Sequence, residues 1–218
     1  CVVIMNLWLG SLLFASLLLI GSALSPEECQ PLVAPVSLAD PSVIYGKVNF
    51  LAGYTDHDFH GEMLKLTESS WVNITESPAG NNEIVMSQGS NINGTCLKNT
   101  QSMKIEGNTV TSSHLNMTSE SHVLPSCDGC LVLAINSTAK NIKILTELFK
   151  FSFANIQDEI TARSLYFLGR GSAIAESDME LFKKQASCLG FSGEPNFLHK
   201  PEKSFCKEEE SISLPSSF

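Results

Sequence analysis

The sequence predicts an all-β protein: an eight-stranded antiparallel up-and-down barrel with one C-terminal α-helix. Three observations predict it. From residue 46 to about 170 the chain is a series of short runs rich in Val, Ile, Thr, Phe and Tyr, broken by Gly, Asn, Ser and Pro clusters. That spacing belongs to antiparallel sandwiches and barrels. The runs number eight, the count of an up-and-down barrel that can hold one small ligand. The sharpest helical pattern comes only after them, near the C-terminus.

The first 26 residues carry no charge, and Leu7 to Ile20 are almost entirely apolar. The stretch ends in Gly21-Ser22-Ala23, a small-x-small cleavage pattern, so residues 1–23 read as a secretory signal peptide. The chain begins with Cys1, and Met5 is a plausible initiator. The alternative is a membrane anchor, since the stretch is just long enough to span. The missing Lys/Arg flank argues against it. The mature chain is therefore expected outside the cell, in blood plasma.

Residues 24–45, with Pro26, Pro31, Pro35 and Pro41, read as an extended approach segment with a short helical turn at Asp40 to Ile44. The expected strands are 46–54, 62–74, 83–88, 95–105, 108–117, 130–137, 143–153 and 163–169. Breaks fall at Ser77 to Asn82, Asn91 to Gly94 and Glu106 to Asn108. Ser177-Asp178-Met179-Glu180 is a capping box with Ser177 as N-cap, and Met179, Phe182 and Ala186 then recur at helical spacing. Gly190 is a natural stop. Residues 24–208 make one domain, and the polar tail 209–218 is expected to be disordered.

With 14 basic and 23 acidic residues the formal charge is −9, and the only arginines are Arg163 and Arg170. Such a chain is a poor nucleic-acid binder. No HExxH, GxSxG or glycine-rich phosphate loop occurs, so no enzyme and no cofactor are expected. His57-Asp58-Phe59-His60 follows a strand and lies between Gly53 and Gly61. It reads as a polar rim loop rather than a metal site, having no further ligand at supporting spacing.

Six cysteines lie beyond the leader: Cys29, Cys96, Cys127, Cys130, Cys188 and Cys206. Three disulfides are expected, with 15 possible connectivities. Cys127-Asp128-Gly129-Cys130 reads as a local bridge across an Asp-Gly turn. Four sequons, at Asn73, Asn93, Asn116 and Asn136, are expected glycosylation sites and must then face solvent.

Tyr45-Gly46-Lys47-Val48-Asn49-Phe50-Leu51-Ala52-Gly53-Tyr54 resembles the first-strand motif of the lipocalins, Gly-x-Trp followed by alternating inward residues. Cys29-Gln-Pro-Leu-Val-Ala-Pro-Val, Ala186-Ser187-Cys188-Leu189 and Lys203-Ser204-Phe205-Cys206-Lys207-Glu208 resemble the alpha-1-acid glycoprotein branch. They are most similar to its fish members that bind saxitoxin, tetrodotoxin or tributyltin; apolipoprotein M is a near relative. The resemblance covers residues 29 to about 208. It implies Cys29–Cys188 and Cys96–Cys206 as disulfides. It departs from the family at Val48, where the family has the tryptophan that plugs the closed end. Arg170 would lie across that floor.

The resemblance also implies a ligand in the barrel. The motif points Phe50, Ala52 and Tyr54 inward, and glycosylation at Asn73 would turn Leu64, Leu66, Glu68, Ser70 and Val72 inward, with Trp71 outward. Glu68 would be the partner of a cationic ligand, with Tyr166 a further aromatic face. Phe149, Phe151 and Phe153 alternate, facing either the helix or the cavity. The expected function is a secreted, monomeric glycoprotein carrying a small hydrophobic or amphipathic, possibly cationic, ligand. The rivals are a lipid carrier associated with lipoproteins, and an immunomodulatory protein-binding module with a filled barrel.

Overall fold

The computed structural model describes residues 24–214 apart from 81, 115, 143–145 and 147–156. The leader 1–23 and the residues 215–218 lie outside the described residues. Eight antiparallel strands follow one another: β1 (Gly46–Thr55), β2 (Thr67–Glu76), β3 (Glu83–Ile92), β4 (Thr95–Glu106), β5 (Thr109–His114), β6 (Met117–Leu124), β7 (Cys130–Lys140) and β8 (Glu159–Gly169). Each pairs with the next, and β8 returns to pair with β1, so the expected barrel closes.

The strand count is reached by a different route from the expected one. Residues 108–117 do not form a single strand. β5 stops at His114, Asn116 turns the chain at φ 60°, and β6 runs back. β6 is inconspicuous in sequence because its inward positions include Ser119 and Ser121 (in register with Ser112 and Val110), which break the apolar alternation. The expected strand 143–153, with its three phenylalanines, lies outside the described residues except for Thr146, which is helical.

Among the described residues, three helices of eight residues or more flank the barrel: α1 (Pro26–Val33), α2 (Asp58–Leu66) and α3 (Glu176–Cys188). The approach segment is thus not simply extended. Ser25 Oγ accepts from the Glu28 amide, the Glu28 carboxylate accepts from the Ser25 amide, and Pro26 opens the first turn. The turn at Pro41–Ile44 forms as expected, capped by Asp40. The C-terminal helix starts earlier than its capping box suggests. Its N-cap is Ala175, without a side-chain cap, and Ser177 lies inside the first turn. Glu176 and Asp178 there complement the helix dipole.

α3 packs on the outer wall through Phe182 and Ala186, against Tyr54, Val132, Leu165 and Phe167. The fully buried Gln185 donates to the carbonyls of Leu32 and Pro125, and Cys29–Cys188 ties α1 to α3. The other bridges are Cys96–Cys206 and Cys127–Cys130, the pairings the resemblance and the Asp-Gly turn imply.

The chain beyond α3 runs along the outside of the barrel. β9 (Phe197–Leu198) pairs with β1, and β10 (Ile212–Ser213) pairs in parallel with Leu97 and Lys98 of β4. Within the tail, Leu214 donates its amide to the Lys98 carbonyl at 2.8 Å.

Candidate functional site

The inner wall is fixed by register, because side chains alternate between faces and paired residues share one. At one end Val48, Ile74, Ile84, Ile105, Val110, Val123, Leu131 and Leu168 meet, capped by Leu38 and Ile44 from the approach segment. This floor is closed with no indole at position 48: Val48 is one of many aliphatic groups, and Leu38 and Ile44 fill from outside the strand. Arg170 does not lie buried across it. It is exposed, beside the Gly129 turn.

Above the floor the inner wall is not fully covered by the described residues. Met86 and Gln88 of β3, Asn99 and Gln101 of β4, Leu133 and Ile135 of β7 and Tyr166 of β8 all point inward by register, yet keep accessible surface. An inward side chain that a water molecule can touch marks unfilled space. The hydroxyls of Ser70 and Ser90 bond to each other at 2.8 Å, with Gln88 Nε2 donating to both. On β5 and β6 Ser112 and Ser119 pair at 2.8 Å.

Two β-bulges rearrange the expected site. The register of β1 against β8 shifts between Phe50 and Ala52. Val48 and Phe50 face in, but Ala52 and Tyr54 turn out, where Tyr54 meets Phe182 and Phe191 under α3. A second shift between Thr67 and Ser69 of β2 sends Glu68 to the C-terminal segment, where its Oε2 lies 3.1 Å from Lys203 Nζ. Glu68 is thus not a carboxylate awaiting a cation in the barrel. Ser70 and Val72 do face in, and Trp71 and Asn73 face out.

Leu64 and Leu66 belong to α2 rather than to a strand. Leu64 joins Phe50, Phe197 and Tyr166 in an aromatic cluster on the β1–β9 side; Phe50 stacks on Phe197 at 4.4 Å and tilts against Tyr166 at 4.8 Å. Burial raises the Tyr166 phenol pKa, so it stays a neutral hydrogen-bonding group.

The His57–His60 segment is helical, not a loop. His57 Nδ1 accepts from the Phe59 amide at 3.2 Å and so caps α2. This signal was legible: a side-chain acceptor followed by Asp58 and an apolar i, i+4 pair. The partly buried His60 has no hydrogen-bond partner for Nδ1. Burial, then its neighbour His57, holds its pKa below the usual 6.5, with Asp56 pulling the other way. The unfolded chain then binds more protons than the folded one, so stability is constant above the ordinary pKa and falls as pH drops through it. His199, also depressed by burial, adds in the same sense. Urea unfolding should show a lower midpoint at about pH 5.5 than at about pH 7.5, with His60→Asn reducing the difference. An equal pH dependence in wild type and variant would exclude His60 as a cause.

A shallow groove of about 590 Å³ runs along β4 to β8, lined by the outward Lys104, Thr111, Glu120 and Asn136 and also by the inward Ser112 and Ser119. It is open and hydroxyl-rich, and the sequon residue Asn136 stands in its wall. Asn93 and Asn116 are exposed in left-handed turns (φ 50° and 60°), and Asn73 is half-exposed on the outside of β2. Cys127, Cys130 and Asp178 cluster, but the two sulfurs are spent in a disulfide, which leaves no thiolate for a metal.

No protein-family model and no curated protein matches the chain. Among solved structures, the fold is similar to the siderocalin Ex-FABP, described as acting through dual ligand specificities (TM-score 0.55, 16% identity, 73% of this chain and 95% of that one). It is similar to siderocalin Q83, described as having a dual ligand binding mode (0.56, 15%, 78% and 97%). A dog lipocalin allergen is also similar (0.55, 15%, 76% and 98%). The closed eight-stranded barrel with its C-terminal helix is the lipocalin fold.

Proposed function

We propose that the protein is a secreted, glycosylated carrier that holds one small amphipathic molecule in its barrel. The observation that carries this is the accessible inner wall above a closed apolar floor. The lipocalin fold supports it, since the fold is built to enclose a ligand. The charge-free leader, three disulfides and four sequons on outer surfaces support secretion. A guanidinium toxin is not favoured, because Glu68 is already paired with Lys203.

The test is uptake of N-phenyl-1-naphthylamine, a neutral fluorophore that brightens in apolar surroundings. One equivalent should bind, and Ile135→Trp, which fills the accessible wall, should reduce affinity by about tenfold or more. Uptake unchanged by Ile135→Trp places the probe elsewhere and removes the barrel as the site. No uptake at all fits a filled barrel acting as a protein-binding module.

A further inference from the structure

The chemistry of the inner wall narrows the ligand. The apolar floor is shallow. In β3 and β4 the floor row Ile84–Met103 is followed by Met86–Gln101 and then Gln88–Asn99. Four residues of strand separate the first of these rows from the last, about 13 Å. The wall therefore turns polar within one row of the floor. The side chains of Asn99 and Gln101 make no hydrogen bond with any described residue. On the adjoining strands β5 and β6, Ser112 and Ser119 bond to each other among the described residues, leaving acceptor lone pairs free.

These groups are all uncharged. The nearby ionised side chains are directed elsewhere: Lys104 and Glu120 share the Thr111 row, which by register faces opposite to Ser112 and Ser119, and Glu68 is held by Lys203. Glu76 shares the inward row of β2 but lies exposed beyond the floor, at the closed end. Among the described residues, the titratable groups on the inward face between the floor and the mouth are His114 and Tyr166, and burial holds the Tyr166 phenol neutral. An anionic or cationic head placed here would lose its hydration without gaining a counter-charge. Amides and hydroxyls, in contrast, offer both donors and acceptors to a neutral polar head.

We infer that the barrel selects an uncharged amphiphile, with a head rich in hydroxyl or amide groups and an apolar tail of about ten carbons reaching the floor. This rests on the carrier function proposed above and names its ligand class. The amide pair Gln88–Asn99 and the hydroxyl pair Ser112–Ser119, on four successive strands, bind the head.

Three probes of equal chain length test it: 1-decanoylglycerol, decanoate and decylamine, each titrated by displacement of N-phenyl-1-naphthylamine at about pH 7.5. The neutral glyceride should bind at least about tenfold tighter than either charged probe. In Gln88→Leu/Asn99→Leu, and separately in Ser112→Ala/Ser119→Ala, that preference should shrink to within about threefold, while naphthylamine uptake persists as the check on folding. Equal or tighter binding of decanoate or decylamine overturns the inference and leaves the carrier standing. So does a glyceride preference that survives in both folded variants. Failure of all three probes and of the fluorophore to bind overturns the carrier function itself.

Discussion

Replacing Cys29 and Cys188 together by alanine is expected to lower the unfolding free energy by about 4–5 kcal/mol. The bridge spans 159 residues of sequence, nearly the whole described chain. It acts mainly on the unfolded state, whose loop-closure entropy it removes in advance. Cys96–Cys206 overlaps it, so the smallest circuit it closes is shorter, roughly 85 residues, running through both bridges. Because the entropy grows only logarithmically with loop length, that shortcut reduces the effect by about half a kcal/mol. In the folded state the same bridge joins α1 to α3 beside Gln185, which fastens both helices to the barrel by its bonds to Leu32 and Pro125. Urea unfolding of the non-reduced variant should show a lower midpoint and a larger denaturant slope, since its unfolded chain is more expanded. A loss below about 1 kcal/mol would mean that the native state strains against the bridge by nearly as much as the bridge stabilises it. Cys127–Cys130, closing only three residues, should contribute far less on the same reasoning.

The barrel was legible because its signals are local and repeated: β-rich runs, Asn-Gly and Gly-Asn turns, and cysteine contexts at both ends. The ligand wall was less legible, because facing depends on events with no sequence signature of their own. One extra residue at Leu51 and one at Glu68 were enough to move Ala52, Tyr54 and Glu68 off the inner face. Strict alternation from a single fixed point carries a face assignment only as far as the next bulge. Phe50, Ser70 and Val72 kept their expected faces because no shift falls between them and their reference points. Gln88, Asn99, Ser112 and Ser119 were missed for the opposite reason. Polar residues in a strand read as the solvent face, and only their even spacing from Ile84, Met103 and Val110, two or four positions along the strands, places them inside. The helix α2 was hidden by Gly61, which weakens helical propensity. In the fold it packs close to Asn196 and Thr55, where a small residue fits.

Trp71→Ala should cost about 3–5 kcal/mol, the range for emptying a buried aromatic site. Trp71 points out of the barrel and is nevertheless fully buried, because the C-terminal segment lies over it. Its indole N–H donates to the Cys206 carbonyl at 2.9 Å, Lys47 Nζ sits 4.2 Å above the ring, and Ser69 Oγ donates to the Ser204 carbonyl alongside. The cross-strand neighbour is Gly89, and the absence of a side chain there is what admits the ring: a Cβ on Gly89 would come within 2.6 Å of three indole atoms. The ring cannot yield, being trapped between β3 and the segment that Cys96–Cys206 anchors. Gly89→Ala is therefore expected to destabilise by about 1–3 kcal/mol and to loosen the segment that follows Cys206. Limited proteolysis should then cut residues 207–214 faster, since their hold on β4 is only the short β10 pairing and the Lys98–Glu208 ion pair. The two sites share one contact, so their effects should not add. In Trp71→Ala the space over Gly89 is empty, and Gly89→Ala on that background should cost close to nothing, giving a coupling of about 1–3 kcal/mol. Additive losses in the double variant would show that Gly89 is needed for its backbone rather than for room beneath the indole.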